Sequence, residues 1–274
     1  MPETDVDEQA LDLTKEVAIG LAKDVYADAG RPVAKPTGEL VGLVPRAIRA
    51  ALAPVEKWIL QREYNMAETK KLLEEKLQNT PPELIQPPEP HIAVPALQYI
   101  SYCMDNEELR DMYASLLANS MNSAVKNGVH PAFVEIVKQL SPDEAKVLRH
   151  IYYHDYYPIL GLRTHKNDGR RLVALPILSN VAEVSGCENI HGDEGIINNL
   201  CRLGLVTIPE GECLIDKALY EPLKTNPFIL EVKRILEKDP NFTKIDFVER
   251  FIKLTVFGNH FCSICIGKTP TGVG

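Results

Sequence analysis

The sequence predicts a mainly α-helical fold, with an N-terminal helical region followed by an α+β domain that contains a small antiparallel sheet. Three observations support this prediction. Apolar residues recur at spacings of three and four over most of the chain, helix-start signals precede several of these stripes, and the spacing changes to two in short segments near the C-terminus. The 274 residues exceed the usual size of one domain, so we expect two compact units.

The N-terminal region begins with an acidic stretch and continues as an amphipathic helix. Five acidic and no basic side chains occur in the first twelve residues, which is typical of a disordered tail. Further on, an apolar stripe lies opposite Arg46 and Arg49. The stripe, which we interpret as a surface for a membrane or a partner helix, comprises Val44, Ile48, Leu52, Val55 and Trp58. Paired prolines in the segment QNTPPELIQPPEP then indicate a linker.

The middle of the chain carries several helix-start signals. Asp105 and Glu108 form a D-x-x-E signature, and His130-Pro131 precedes another apolar stripe. The strongest signal is Ser141-Pro142-Asp143-Glu144, in which serine can cap the helix and the glutamate can complete a capping box. We therefore predict three successive helices here.

The C-terminal half alternates helical and extended patterns. A basic segment, GLRTHKNDGRRL, is interpreted as a loop, and Asp193 and Gly204 are predicted to begin and end the next helix. The residues LVTI, the turn-like PEGE and the residues CLI then suggest a short hairpin. Asn226-Pro227 is predicted to start a helix, and FVERFIKLTVFG a strand that leads into a final helix. This order of elements is typical of a winged helix.

These signals divide the chain into six predicted segments. They are a disordered acidic tail at 1–9, an amphipathic helical region at 10–80, a proline-rich linker at 81–91, a helical segment at 92–140, a winged-helix-like α+β domain at 141–267 and a flexible tail at 268–274. The division rests on the position of prolines, glycines and caps along the chain.

Composition indicates a soluble cytoplasmic protein. The formal charge of −8 argues against a general polyanion binder, and six thinly spread cysteines are typical of reduced thiols. The N-terminus lacks the pattern of a signal peptide, and no apolar run reaches the length of a membrane-spanning helix. If the stripe at Val44–Trp58 binds lipid, the protein would instead be peripheral to the inner membrane.

The motifs predict no catalytic residue, no cofactor-binding residue and no metal ligand. His260, Cys262 and Cys265 form H-x-C-x-x-C, but the sequence offers no second ligand pair at usable spacing, so we interpret the thiols as core residues. His150 and His154 are one helical turn apart, without the glutamate of a zinc protease motif. Phosphate-binding glycine loops and nucleophile elbows do not occur, so the enzyme class is unsupported.

The basic segment contains the candidate contact residues. They are Arg163, Lys166, Arg170 and Arg171, which could contact phosphate or an acidic partner, or simply be solvated. The candidate recognition helix, DEGIINNLCRLG, has an acidic balance that DNA phosphates would repel. We therefore expect a protein partner or a homo-oligomer, with a membrane surface as an alternative and nucleic acid as a less favoured one. No small-molecule substrate is inferred.

Three passages resemble the abortive infection alpha (Abi-alpha) family. They are AVPALQYISYCMDNEELRDMYASLLANSMN, HPAFVEIVKQLSPDEAKVL, and NNLCRLGLV together with LTVFGNHF. The resemblance covers roughly residues 40–266 and implies a bacterial phage-defence protein, but it implies no reaction. We expect such a protein to act by macromolecular interaction. The alternatives are a membrane-active effector that uses residues 40–60 and a winged-helix DNA-binding regulator.

Overall fold

The computed structural model describes residues 66–167 and 169–267. The chain divides into two compact units between residues 138 and 139. The mainly helical fold with an α+β part and a small antiparallel sheet is confirmed. The predicted stripe from Val44 to Trp58 and the tails predicted at 1–9 and 268–274 lie outside the described residues.

The described part of the first unit is helical. Its elements are α1 (Met66–Leu77), α2 (Pro90–Ile100), α3 (Glu107–Met121) and α4 (Ala132–Lys138), with 3-10 turns at Pro82–Leu84 and Lys126–Gly128. Helix α3 contacts the other three helices, and its residues Met112, Tyr113 and Leu116 are fully buried. Removal of this stripe from water is the main contribution that stabilises such a unit.

The proline-rich segment packs within the first unit. Ile85 forms an isolated β-bridge with Asn122, and the backbone N–H of Gln86 donates to the carbonyl of Met121 at 2.8 Å. These bonds hold the segment against the C-terminal end of α3. The prolines leave few N–H groups to satisfy, so the backbone can run extended along a helix end without buried, unpaired donors.

The second unit combines helices with a four-stranded sheet. Its elements are α5 (Pro142–His154), β1 (Tyr156–Lys166), β2 (Arg171–Leu178), α6 (Val181–Val184), α7 (Asp193–Arg202), β3 (Val206–Thr207), α8 (Glu221–Lys224), α9 (Pro227–Glu237), β4 (Phe242–Leu254) and α10 (Val256–Cys265). A 3-10 turn at Lys217–Tyr220 precedes α8. The strand order is β2-β1-β4-β3 with antiparallel neighbours. Strand β4 therefore lies between β1 and β3.

Two apolar layers pack on opposite sides of the sheet. On one side Ile159 and Ile252 are fully buried, and α5 contacts both β1 and β4. On the other side Leu160 and Leu162 join a cluster that includes Ile229 of α9. Because successive strand residues point to opposite faces, one short run of β1 contributes to both layers.

Several predicted helix ends are confirmed. The Ser141 hydroxyl accepts a hydrogen bond from the Glu144 N–H at 3.2 Å, and the Glu144 carboxylate accepts one from the Ser141 N–H at 2.7 Å. Gly204 ends α7 with a φ of 72°, the left-handed conformation that glycine adopts without strain. Asn226 caps α9 by accepting a hydrogen bond from the Phe228 N–H.

Two predicted caps are wrong. Asn106, rather than Asp105, caps α3, because its side-chain oxygen is the one that reaches the N–H of Leu109, at 3.0 Å. Asp193 begins α7 without capping it, and its buried carboxylate instead accepts a hydrogen bond from the N–H of Ala182 at 2.9 Å. Burial raises the pKa of Asp193. Through its hydrogen bond with the N–H of Ala182, this carboxylate joins α6 to α7.

Two predictions for the extended segments are also wrong. The segment interpreted as a basic loop forms most of the β1–β2 hairpin, because its charged residues alternate with the buried Leu162 and Thr164. Residues 213–215 are not in a strand, and β3 instead pairs with β4 through Val206 and Leu254. The predicted local hairpin after β3 is replaced by a pairing with a distant strand.

Gly258 gives a test of this packing, because α10 approaches the backbone of Leu205 closely. A Cβ added at Gly258 would lie 1.9 Å from the Leu205 carbonyl oxygen. We expect Gly258→Ala to lower the free energy of unfolding by about 3 kcal/mol, since the backbone cannot rotate away as a side chain could.

The matched control is Gly195→Ala in α7, where an added Cβ has no neighbour within 4 Å. We expect this variant to be unchanged or stabilised by up to about 1 kcal/mol, because alanine favours the helix over glycine. Urea unfolding followed by circular dichroism measures both. Equal stabilities of the two variants would show that the close approach does not exist.

Candidate functional site

A basic surface lies on the half of the β1–β2 hairpin that is nearer to its turn. Arg163 pairs across the sheet with Val173 and Asp246, and two residues later His165 occupies the equivalent position. Paired residues and residues two apart share one face of a sheet. The surface, which we call the open face, comprises Arg163, His165, Arg171, Val173, Lys244 and Asp246.

The two sides of the hairpin differ in exposure. On the side opposite the open face, Thr164 is fully buried and Ile245 is 6% exposed, beneath apolar residues of α9. On the open face, Val173 is 48% exposed, and Arg171 and Lys244 are also exposed. The apolar side chain of Val173 is therefore exposed to solvent among cationic side chains.

Charge on the open face is only partly neutralised. Asp246 lies 2.8 Å from the ammonium of Lys244 and 2.9 Å from Nε2 of His165, although that imidazole contact lacks hydrogen-bond geometry. Lys244, and to a smaller extent His165, lowers the pKa of Asp246. Within the described residues, Arg163 and Arg171 have no carboxylate within ion-pair distance. The two guanidinium groups thus carry the net positive charge.

The structure separates the four predicted contact residues. Arg163 and Arg171 belong to the open face, Lys166 ends β1, and Arg170 lies in the turn, where its carbonyl accepts a hydrogen bond from the Lys166 N–H at 2.8 Å. The sequence did not identify Lys244, because it lies on a strand far along the chain. The alternation of buried and charged residues from Leu162 onward is the sequence signal that could have revealed β1.

The histidines of α5 form a stacked pair. The rings of His150 and His154 have centroids 4.2 Å apart and an interplanar angle of 23°. They border a shallow cavity of about 370 Å³, in which the hydroxyl of Tyr157 donates to Oδ1 of Asn180 at 2.8 Å. Nδ1 of His154 lies 2.8 Å from the backbone carbonyl oxygen of His150, so one of its ring nitrogens already has a partner within the helix. The pair therefore acts as packing on the cavity wall.

The C-terminal thiols lie in the core. Cys262 and Cys265 are buried in α10, and burial raises the pKa of both thiols, whereas His260 is exposed. Such thiols remain protonated and react slowly. Among the described residues, no group of three or more histidine, cysteine, aspartate or glutamate side chains is placed to hold a metal ion.

The exposed thiol of Cys213 belongs to a charged cluster. Sγ of Cys213 lies 2.9 Å from the ammonium nitrogen of Lys217, which in turn lies 2.7 Å from a carboxylate oxygen of Glu249. Glu249 is also 3.0 Å from the ammonium of Lys224. The sequence separation of Cys213 and Lys217 does not predict their contact, because residues 213–216 are not helical, and the pairing with Glu249 depends on the fold.

The stacked histidines predict a pH dependence. Burial, and then the positive charge of His154, lowers the pKa of His150 below its ordinary value of 6.5. The folded state therefore binds fewer protons than the unfolded state, so the free energy of unfolding falls as the pH drops through 6.5 toward the folded-state pKa.

We expect a smaller loss between about pH 7.5 and about pH 5.5 in His150→Phe, because phenylalanine keeps a stacking ring but cannot be protonated. Urea unfolding at several pH values measures the slope. Parallel slopes for the wild-type chain and the variant would contradict this assignment.

Comparison with known proteins identifies one family. The sequence pattern of the family described as abortive infection alpha matches residues 61–265. An uncharacterized protein from the hydrocarbon-degrading marine bacterium Alcanivorax borkumensis SK2 is similar in structure, with a TM-score of 0.36 and 16% identity over 52% of this chain and 94% of that one. No curated protein matches the chain. The family match spans most of the sequence, and the chain therefore belongs to the abortive infection alpha family.

Proposed function

We propose that this protein acts in phage defence by binding an acidic protein surface through the open face, without catalysing a reaction. Membership of the abortive infection alpha family supports the defence role. One observation carries the binding role. On the open face, two guanidinium groups have no carboxylate partner among the described residues, and an exposed valine lies beside them. The opposite side of the same hairpin is packed against the core.

The chemistry of the open face suits a protein partner. Arginine is enriched at protein interfaces because its planar fork can bond a carboxylate through two N–H groups while its stem packs against apolar surface. Arg163 is the cross-strand neighbour of Val173, so one partner surface could meet both a charged and an apolar contact. Paired hairpin strands also hold these groups in fixed relative positions, which reduces the entropy lost on binding.

The helical part of the second unit supports a protein rather than DNA as the partner. Its order is α5-β1-β2-α6-α7-β3-α8-α9-β4-α10, and in the sheet β4 lies between β1 and β3. This arrangement supports a winged-helix-like interpretation in which α7 would be the recognition helix. The exposed side of α7 includes Glu194, Gly195 and Asn198. Arg202 is bonded to side chains of Asn199 and Gln139. A carboxylate on this surface would be repelled by DNA phosphates.

A membrane target receives no specific support from the described residues. Among them, no helix has both the length and the apolar character needed to cross a bilayer. The stripe from Val44 to Trp58, on which the membrane alternative depends, lies outside the described residues. The open face is therefore the surface on which the proposal rests.

Charge reversal on the open face tests the proposed function. We expect Arg163→Glu with Arg171→Glu to abolish protection against a phage whose plating the wild-type chain reduces, because both guanidinium contacts become repulsive to an acidic partner. Efficiency of plating measures protection. The control is Lys71→Glu with Lys126→Glu, which makes the same change in net charge on helical segments of the first unit.

The control should protect as the wild-type chain does. Equal protection by both double variants would refute the role of the open face, provided that circular dichroism shows both to be folded. A photo-crosslinking residue in place of Val173 should capture a protein in infected cells. Salt-dependent DNA binding that is lost in the Arg163→Glu, Arg171→Glu variant would instead support the regulator and refute the protein partner.

A further inference from the structure

The open face carries more cations than carboxylates. Its arginine and lysine side chains share one carboxylate, that of Asp246, which lies 2.8 Å from the ammonium of Lys244. Elsewhere among the described residues several cations are paired one to one with carboxylates, as Lys76 is with Asp111 at 2.6 Å. The open face is therefore a local positive surface on a chain whose formal net charge is −8. An occupant of opposite charge would stabilise it.

A segment of opposite charge lies near the start of the sequence. Residues 1–12 contain five carboxylates and no lysine or arginine, and they lie outside the described residues. Three of the carboxylates, those of Glu3, Asp5 and Asp7, alternate with uncharged residues. In an extended chain, residues two apart point to the same side and are about 6.6 Å apart. When extended, this segment can therefore present three carboxylates in one row.

The row has the same period as the open face. Arg171 and Val173 are two positions apart on β2, and Arg163 is the cross-strand neighbour of Val173. Among the described residues β2 is the outermost strand of the sheet, and the free edge of such a strand can hydrogen-bond to an extended segment. A segment paired with this edge would place alternate carboxylates on the open face.

We propose that residues 1–12 of the same chain occupy the open face until the protein partner displaces them. Arg163 and Arg171 bind carboxylates in both states, so the segment and the partner compete; in naming that competitor, the inference rests on the proposed function. Residues 13–65 separate the segment from the described part of the chain. Fully extended they could span about 180 Å, so the length of the chain permits the contact.

A second copy of the open face is a less favourable occupant. Face to face, the guanidinium groups of Arg163 and Arg171 would meet those of the other copy, and such like charges repel. The acidic segment instead brings opposite charge. Because it belongs to the same chain, its contact does not depend on the protein concentration.

Photo-crosslinking within the full-length chain tests the contact. A photo-crosslinking residue in place of Val6 should, on irradiation at low salt, form crosslinks to residues 163–175, located by peptide mass spectrometry. Mixing the chain with an equal amount of a nitrogen-15-labelled copy distinguishes crosslinks within one chain from those between two. Raising the sodium chloride concentration to about 1 M should lower the yield at least about fivefold, because salt screens exposed charges.

Charge reversal on the open face should remove the crosslink. We expect Arg163→Glu with Arg171→Glu to lower its yield at least about fivefold, since two attractive contacts become repulsive. The matched control is Lys71→Glu with Lys126→Glu, which makes the same change in net charge on the first unit and should keep the wild-type yield.

A charge exchange separates a direct contact from a general effect of the substitutions. Glu3→Lys with Asp5→Lys and Asp7→Lys should also lower the yield. Combining these changes with Arg163→Glu and Arg171→Glu should restore it, because the two surfaces are again opposite in charge.

Three results would overturn the inference. They are the absence of crosslinks to the β1–β2 hairpin, crosslinks that join mainly two different chains, and no recovery of yield in the charge-exchanged variant when circular dichroism shows it to be folded. Recovery of the yield within one chain supports the contact.

Competition with the partner needs a separate measurement. Glu3→Gln with Asp5→Asn and Asp7→Asn should raise, at least about twofold, the amount of protein captured in infected cells by a photo-crosslinking residue at position 173, because the competitor is weakened. An unchanged amount would overturn the competition. Capture of no protein at all would count against the proposed function, whereas the crosslink from position 6 decides whether the segment occupies the open face.

Discussion

The antiparallel ladder between β1 and β4 determines where the rest of the second unit can pack. It runs without a register shift from the pair Tyr156 and Lys253 to the pair His165 and Lys244. Along such a ladder each residue is assigned to one of two faces, and a slip of one position would exchange them. The α5 layer covers one face near Ile159, and the α9 layer covers the other. Helix α5 does not cover the part of the first face near the β1–β2 turn, and this uncovered part is the open face.

The same ladder separates two kinds of charged group. Asp246 and Glu249 are three positions apart on β4 and therefore point to opposite faces. Glu249 bonds the lysines of the segment before α9, and these contacts, with Lys217 first, lower its pKa. Asp246 neutralises Lys244 on the open face. On the packed side the cation Lys217 is thus held by a strand carboxylate, whereas Arg163 on the open side has no carboxylate partner among the described residues.

The sequence predicted features that depend on local chemistry and missed those that depend on register. The capping box of Ser141 and Glu144 and the left-handed Gly204 need only a few neighbouring residues, and both are confirmed. The sequence pattern predicts a loop where the hairpin forms, because the many charged residues hide a two-residue alternation. In that alternation the buried Leu162 and Thr164 are separated by the charged Arg163. The contact between Lys217 and Glu249 requires a strand pairing that no short pattern encodes. Non-local strand pairing therefore decides which charged residues of the site meet, and short sequence patterns do not reveal it.

Two motifs of the family resemblance meet in space, which gives them a structural meaning. The hydroxyl of Thr255 donates to the carbonyl of Gly204 at 2.6 Å and accepts from the N–H of Gly258 at 2.8 Å. Gly258 in turn leaves room for the Leu205 backbone. The passages NNLCRLGLV and LTVFGNHF thus join the end of α7 to the start of α10. These residues hold the end of α7 against the start of α10, whereas Arg163 and Arg171 of the open face lie outside all the quoted passages.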